Sequence, residues 1–233
     1  MKTSIIIPCY NEQDNIALLA EHFAPIAEDF PIELVLVDNG SSDNTRAEIA
    51  RHAEAFPFIT PAAVEENQGY GYGILAGLRA AGGDVLGWMH ADLQSDPAVF
   101  CDMIRRAEGE SGDFLYKGSR SNRPVSDTLF TVGMSLYESV YLGAGLWDIN
   151  AQPTLLSRSF YERWSEPPYD FSLDLYVYYL AKAQKVPVSR FASPQAARLH
   201  GESSWNTGMA ARVKLIRRVL RYSGELKKKV RGI

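Results

Sequence analysis

Cysteine is nearly missing. Two residues in 233, Cys9 and Cys101, exclude a disulfide scaffold, and their spacing fits no zinc motif. Long apolar runs are missing as well. No stretch approaches the roughly eighteen apolar residues of a membrane span. Met1-Lys2-Thr3 leads directly into Ser-Ile-Ile-Ile, too short for a secretory signal, so a cytoplasmic protein is expected. No internal repeat, low-complexity tract or linker divides the body, which excludes solenoids and chains of small modules. Acid is what the C-terminal end lacks. From Met209 onward Glu225 stands alone against nine Lys and Arg, leaving fifteen basic and twenty-seven acidic groups in residues 1–208. Two parts follow, an acidic body over 1–208 and a basic helix and tail over 209–233. The asymmetry calls for an anionic partner, a membrane surface or a phosphorylated substrate, and not for nucleic acid.

What is present is a hydrophobic fraction of 46%, enough at this length for one large, well-buried domain. Ser4 to Ile7 reads as a β-branched strand, followed by the turn Pro8-Cys9-Tyr10-Asn11-Glu12 and a helix over about 14–23. Ile32 to Val37 is a second strand, ending in Asp38-Asn39-Gly40-Ser41-Ser42-Asp43, with Asp43 capping a helix to about Ala55. The alternation predicts an α/β fold, a Rossmann-like, mostly parallel sheet with helices on both faces. A weaker strand over 56–64 precedes Glu65 to Gln68, a glycine loop over 69–73 and a helix through Ala81. Further helices are expected over about 97–108, 125–142 and 171–184, and strands near 114–117, 153–156 and 186–191. In the helix over 125–142, Leu129, Val132, Leu136 and Val140 share one face.

The centre of the chain is Asp84 to Pro97. Val85, Leu86, Trp88 and Met89 form a buried-strand run that stops at His90, Asp92, Gln94 and Asp96. Ligands bind at the carboxyl ends of strands in open α/β sheets, so these donors belong at a crevice. His90, Asp92 and Gln94 make a set suited to Mg or Mn bridging a diphosphate. Asp96 before Pro97 is instead a helix start. Arg120 and Arg198, at the mouth of such a crevice, offer bidentate forks for phosphate.

These segments together resemble family 2 glycosyltransferases of the GT-A fold, in the branch like dolichyl-phosphate mannose synthase. The carriers are residues 5–12, 37–45, Asn67-Gln68-Gly69, Ala-Asp-Leu-Gln-Ser-Asp-Pro at 91–97, Gly-Ser-Arg at 118–120, and Arg198 with Gly201-Glu202-Ser203. The resemblance implies that Pro8, Tyr10 and Glu12 hold the nucleotide base and ribose, and that Asp38 reads base or ribose. Asn67, Gly69, Arg120, Arg198 and Ser203 complete the donor-binding set. The family's metal motif is Asp-x-Asp, so His90 is a departure that removes one negative charge. The family's further arginine in the helix after Gly-Ser-Arg is missing from residues 128–135.

The implied reaction moves a sugar from a nucleotide diphosphate sugar to a lipid-linked or glycan acceptor, a polyprenyl phosphate or a sugar hydroxyl, by inversion. Mn or Mg and Arg198 would stabilise the departing diphosphate. A hydroxyl acceptor needs a base, for which Asp148 and Asp174 are the candidates, whereas a phosphate is already anionic. Two other readings are an NAD-type oxidoreductase, from Gly71-Tyr72-Gly73-Ile74-Leu75-Ala76, and a non-catalytic nucleotide-sugar binder. In the tail, Val213, Ile216, Val219 and Leu220 form an apolar stripe with basic flanks, so residues 209–231 are expected to touch an anionic membrane surface from the cytoplasmic side.

Overall fold

A computed structural model describes residues 1–196 and 219–228. In chain order the elements are β1 (Thr3–Cys9), α1 (Gln13–Asp29), β2 (Ile32–Asn39), α2 (Thr45–Ala55), β3 (Ile59–Val64), α3 (Tyr70–Ala80) and β4 (Val85–Trp88). There follow α4 (Val99–Ala107), β5 (Leu115–Ser121), α5 (Val125–Leu142), β6 (Thr154–Ser157), α6 (Arg158–Tyr161), α7 (Ser172–Ala183) and β7 (Val188–Pro194). Residues 219–228 are helical. The seven strands form one sheet in the order β3-β2-β1-β4-β6-β5-β7.

Alternation along the strands splits the core in two. Ile5 and Ile7 face one side, where Ile16, Leu19 and Phe23 of α1 and Phe100, Met103 and Ile104 of α4 cover them. Ile6 and Val35 face the other, against Ile74 and Leu78 of α3, Phe160 of α6 and most of α7. Helices therefore lie on both faces of the expected, mostly parallel sheet. The one reversed strand is β6, antiparallel to both β4 and β5. The chain reaches β6 from the edge where the parallel strands end, so the loop over 143–153 lies at that edge.

Two local expectations change. Helix α1 runs on through Pro25 to Asp29, because Ile26 is still buried against the core. The glycines over 69–73 form no open loop: α3 begins at Tyr70 and contains Gly71 and Gly73. A β-carbon at Gly71 would lie 2.7 Å from the carbonyl oxygens of Pro168 and Asp170, so the glycine lets the helix pass against backbone. It makes no tight strand-to-helix turn of the dinucleotide kind, since β3 ends at Val64.

Candidate active site

Three polar loops are knitted together at the carboxyl edge of β1, β2 and β3. Asn11, at φ 54°, donates its N–H to Ser41 Oγ at 3.1 Å and accepts the Ser42 N–H at 2.9 Å. Glu12 N–H donates to Thr45 Oγ1 at 2.8 Å. Asp43 Oδ1 accepts the Thr45 N–H at 3.0 Å from one residue ahead of Asn44, which holds the cap position of α2 expected for Asp43. Asp38 is buried and accepts the Ser41 N–H at 3.0 Å. Asn39 Nδ2 donates to the Gly69 carbonyl at 3.1 Å, and Asn67 Oδ1 accepts the Gly69 N–H at 2.9 Å. Pro8, Tyr10, Glu12, Asp38, Asn67 and Gly69 are thus gathered along one edge, with the Tyr10 ring half exposed.

Beside them β4 ends at Trp88 and releases His90, Asp92 and Gln94. Asp92 is 5% exposed and accepts the Gln94 N–H at 3.2 Å, while Leu93 between them takes φ 52°. Asp96 Oδ1 accepts the Ala98 N–H at 2.9 Å, so it shapes the turn into α4 and leaves the donor set to the other three. Among the described residues no three His, Cys, Asp or Glu side chains converge on a metal cage. His90, Asp92 and Gln94 contain one carboxylate, which fits an open site where a divalent cation takes its other ligands from diphosphate and water.

Beneath this loop lies a buried polar chain that sequence reasoning missed. The His90 ring is 4.9 Å from that of Tyr70, which stacks on Phe171 at 4.7 Å. Burial, then the charges of Asp174 and Asp92, push the Tyr70 phenol well up. With its amide turned to satisfy its neighbours, Gln152 accepts from Tyr70 Oη at 2.8 Å and from Trp88 Nε1 at 3.2 Å. Lys117 Nζ donates to Thr154 Oγ1 and Asp174 Oδ1, both at 3.2 Å. Burial lowers the lysine, and the Asp174 charge opposes that. A lysine closing the apolar run Phe114-Leu115-Tyr116 was the available signal, since a cation there requires a buried partner.

The second polar cluster joins β5 to the loop before β6. Arg120 donates to Asp148 through its N–H at 3.0 Å and Nε at 2.9 Å, and through Nη2. Burial raises the Asp148 carboxyl, but the Arg120 contacts and the Arg190 charge outweigh it and hold the group below the usual range. Arg190 in turn donates to the carbonyls of Gly118, at 2.7 Å, and Trp147. Gly118 is required here because a β-carbon would overlap the Gln152 carbonyl.

The two base candidates, Asp148 and Asp174, are 3% and 1% exposed and each is paired to a cation, Arg120 and Lys117 respectively. Arg198 and Ser203 lie outside the described residues. Of the tail stripe, Val213 and Ile216 also lie outside. The helix over 219–228 is docked on the body: Leu226 is fully buried, Ser223 Oγ donates to Glu138 Oε1 at 2.7 Å, and Lys227 reaches the Tyr141 carbonyl.

The model for "Glycosyl transferase family 2" matches residues 4–134. An undecaprenyl-phosphate 4-deoxy-4-formamido-L-arabinose transferase of Serratia proteamaculans is 36% identical over 111 residues, 46% of this chain and 34% of that protein. A dodecaprenyl-phosphate galacturonate synthase of Rhizobium johnstonii is 32% identical over 136 residues, 56% of this chain and 38% of that one. The chain thus spans little over a third of the length of these curated relatives. Among solved structures, glucosyl-3-phosphoglycerate synthase of Mycobacterium tuberculosis with Mn2+, UDP-glucose and phosphoglyceric acid superposes with a TM-score of 0.71 at 17% identity. That match covers 96% of this chain and 80% of the other. The same enzyme with Mg2+ and UDP gives 0.73 at 17%, over 96% and 79%. At that identity the likeness shows the fold.

Proposed function

The chain belongs to glycosyl transferase family 2, and from that premise we propose that it transfers a sugar from a nucleotide diphosphate sugar to a polyprenyl phosphate. The observation that carries the acceptor is the commitment of both Asp148 and Asp174 to buried cations. A phosphate oxygen attacks without a base, whereas a glycan hydroxyl must first lose its proton. The names of the curated relatives point to the same acceptor class.

Pro8, Tyr10, Glu12 and Asp38 hold the base and ribose, and the Asn67 to Gly69 turn backs them. His90, Asp92 and Gln94 would hold a divalent cation, Mn or Mg, which would supply positive charge to the leaving diphosphate. Tyr70, braced by Phe171 and Gln152, fixes the ring of His90. Arg120, held by Asp148, presents its positive charge at the end of β5, and Arg198 adds a second donor for the leaving group. The test is a donor panel scored by released UDP or GDP, with polyprenyl phosphate or an oligosaccharide as acceptor. Release that depends on polyprenyl phosphate supports the reading; release only with the oligosaccharide refutes the acceptor. Nucleotide binding without turnover on any acceptor would favour the non-catalytic binder.

The enzyme works at the cytoplasmic face of a membrane, touching anionic lipid through residues 209–231. Among the described residues no helix is long and apolar enough to cross a bilayer. Arg221 and Lys228 are exposed, and each basic group near an anionic leaflet contributes about 1 kcal/mol. Binding of the full chain to anionic vesicles at low salt, weakened in Arg221→Glu/Lys228→Glu, is expected; equal binding by that variant would refute the contact.

A further inference from the structure

Helix α5 turns its apolar side away from the body. Ser135 and Glu138 are buried beneath it, where Ser135 Oγ accepts the Asp148 N–H and Glu138 accepts the Ser223 hydroxyl. On the outward side Val125, Leu129, Leu136 and Val140 are 76%, 65%, 65% and 76% exposed. Spacings of three and four run on through Val132, the interval at which one helix lays an apolar seam against another. The middle of the seam is open: among the described residues, a β-carbon at Gly133 would meet nothing within 4 Å.

The seam reads the same from either end. About the bond between Val132 and Gly133, Val125 answers to Val140 and Leu129 to Leu136, both in residue type and in exposure. A two-fold axis across a helix demands this, because in an isologous pair residue i meets residue j and j meets i. Two copies of α5 laid antiparallel over that axis set leucine against leucine and valine against valine, and Gly133 lets the helix axes close at the centre.

Area and charge agree. At these exposures the stripe and Tyr137 beside it present roughly 500 Å² per copy, a large apolar patch for a monomer to leave open. With exposed Ser126 and Thr128 on its flank, a pair hides on the order of 1,200 Å², the lower end of specific interfaces. No Lys or Arg lies between Val125 and Leu142, and the two acids, Asp127 and Glu138, fall by the helical period on the side away from the stripe. A face that meets an anionic leaflet gathers basic groups, as the tail does. A face that meets its own copy must instead carry no like charge, and this one carries none.

We propose that the outward face of α5 is a homodimer interface, covered by a second copy of this chain packed antiparallel across Val132 and Gly133. Sedimentation equilibrium of the full-length chain without detergent, from about 1 to 200 μM, measures the pairing. A monomer–dimer equilibrium with a micromolar dissociation constant is expected. Leu129→Glu or Leu136→Lys, at exposed positions that leave folding intact, should each weaken it tenfold or more. Leu129→Glu/Leu136→Lys on one chain should recover pairing to near the parental strength, because the two-fold sets the opposite charges across from each other twice. Val132→Cys, beside the axis, should cross-link to its copy under mild oxidation, whereas Val125→Cys, about 22 Å from its own copy at the helical rise, should not. The parent, with Cys9 and Cys101 alone, is the control. A parent that stays monomeric across the whole range would overturn the proposal. So would a double variant no stronger than either single, or equal cross-linking at both positions. A monomer that floats with vesicles of neutral lipid, and loses them in Leu129→Glu, would overturn it in favour of a bilayer.

Discussion

Replacing Lys117 by Met exposes how the buried chain beneath the site is held. Lys117 and Asp174 are each 1% exposed at the side chain and 3.2 Å apart, so removing the ammonium leaves a carboxylate in the core. Breaking a buried pair from one side costs about 3–5 kcal/mol. For a domain of this size that lowers Tm by about 6–20 °C. Lys117→Met/Asp174→Leu removes both charges and should be more stable than Lys117→Met alone. Thermal melts by circular dichroism at pH 7.5, for the parent, both single variants and the double, measure all of this. A Lys117→Met midpoint within 2 °C of the parent at pH 7.5, by the same scaling about 1 kcal/mol or less, would refute the assignment. Strict additivity in the double would do so too.

Asp92→Ala should cut sugar transfer by about two orders of magnitude or more while the melt stays near the parent's, as expected for a group acting on transition-state charge; transfer at the parental rate would remove Asp92 from the metal site. With an imidazole in place of a carboxylate, Mn should support turnover better than Mg at equal low concentration, and His90→Asp should narrow that gap. Gly118→Ala forces a β-carbon into the Gln152 carbonyl and should destabilise by about 1–3 kcal/mol in urea titrations. Arg120→Gln should be less stable than the parent at pH 7. Asp148 is held below its ordinary pKa in the fold, so its contribution is present above about pH 4 and fades as pH falls through the folded value; a deficit that is constant with pH would contradict the pairing.

Family membership and the placement of the loops were legible in the sequence because both rest on local signals. Apolar runs followed by Pro8 to Glu12, Asp38 to Asp43 and His90 to Gln94 mark strand ends, and βαβ alternation forces such ends to one edge. The span of α5, Val125–Leu142, was readable from its period. Which way that helix faces was not: periodicity fixes that Leu129, Val132, Leu136 and Val140 share a side, but only packing decides whether the core or the solvent meets it. The same limit governs charge. A sequence shows the carboxylates of Asp148 and Asp174 without their partners; Arg120 lies 28 residues from the first and Lys117 57 from the second. The reversal of β6 between β4 and β5 brings those partners together. What the chain by itself determined is the order of elements and the chemistry at each strand end. What the tertiary structure alone decided is which of those groups are spent on each other, because pairing at long range follows from sheet order, and sheet order from burying both faces at once.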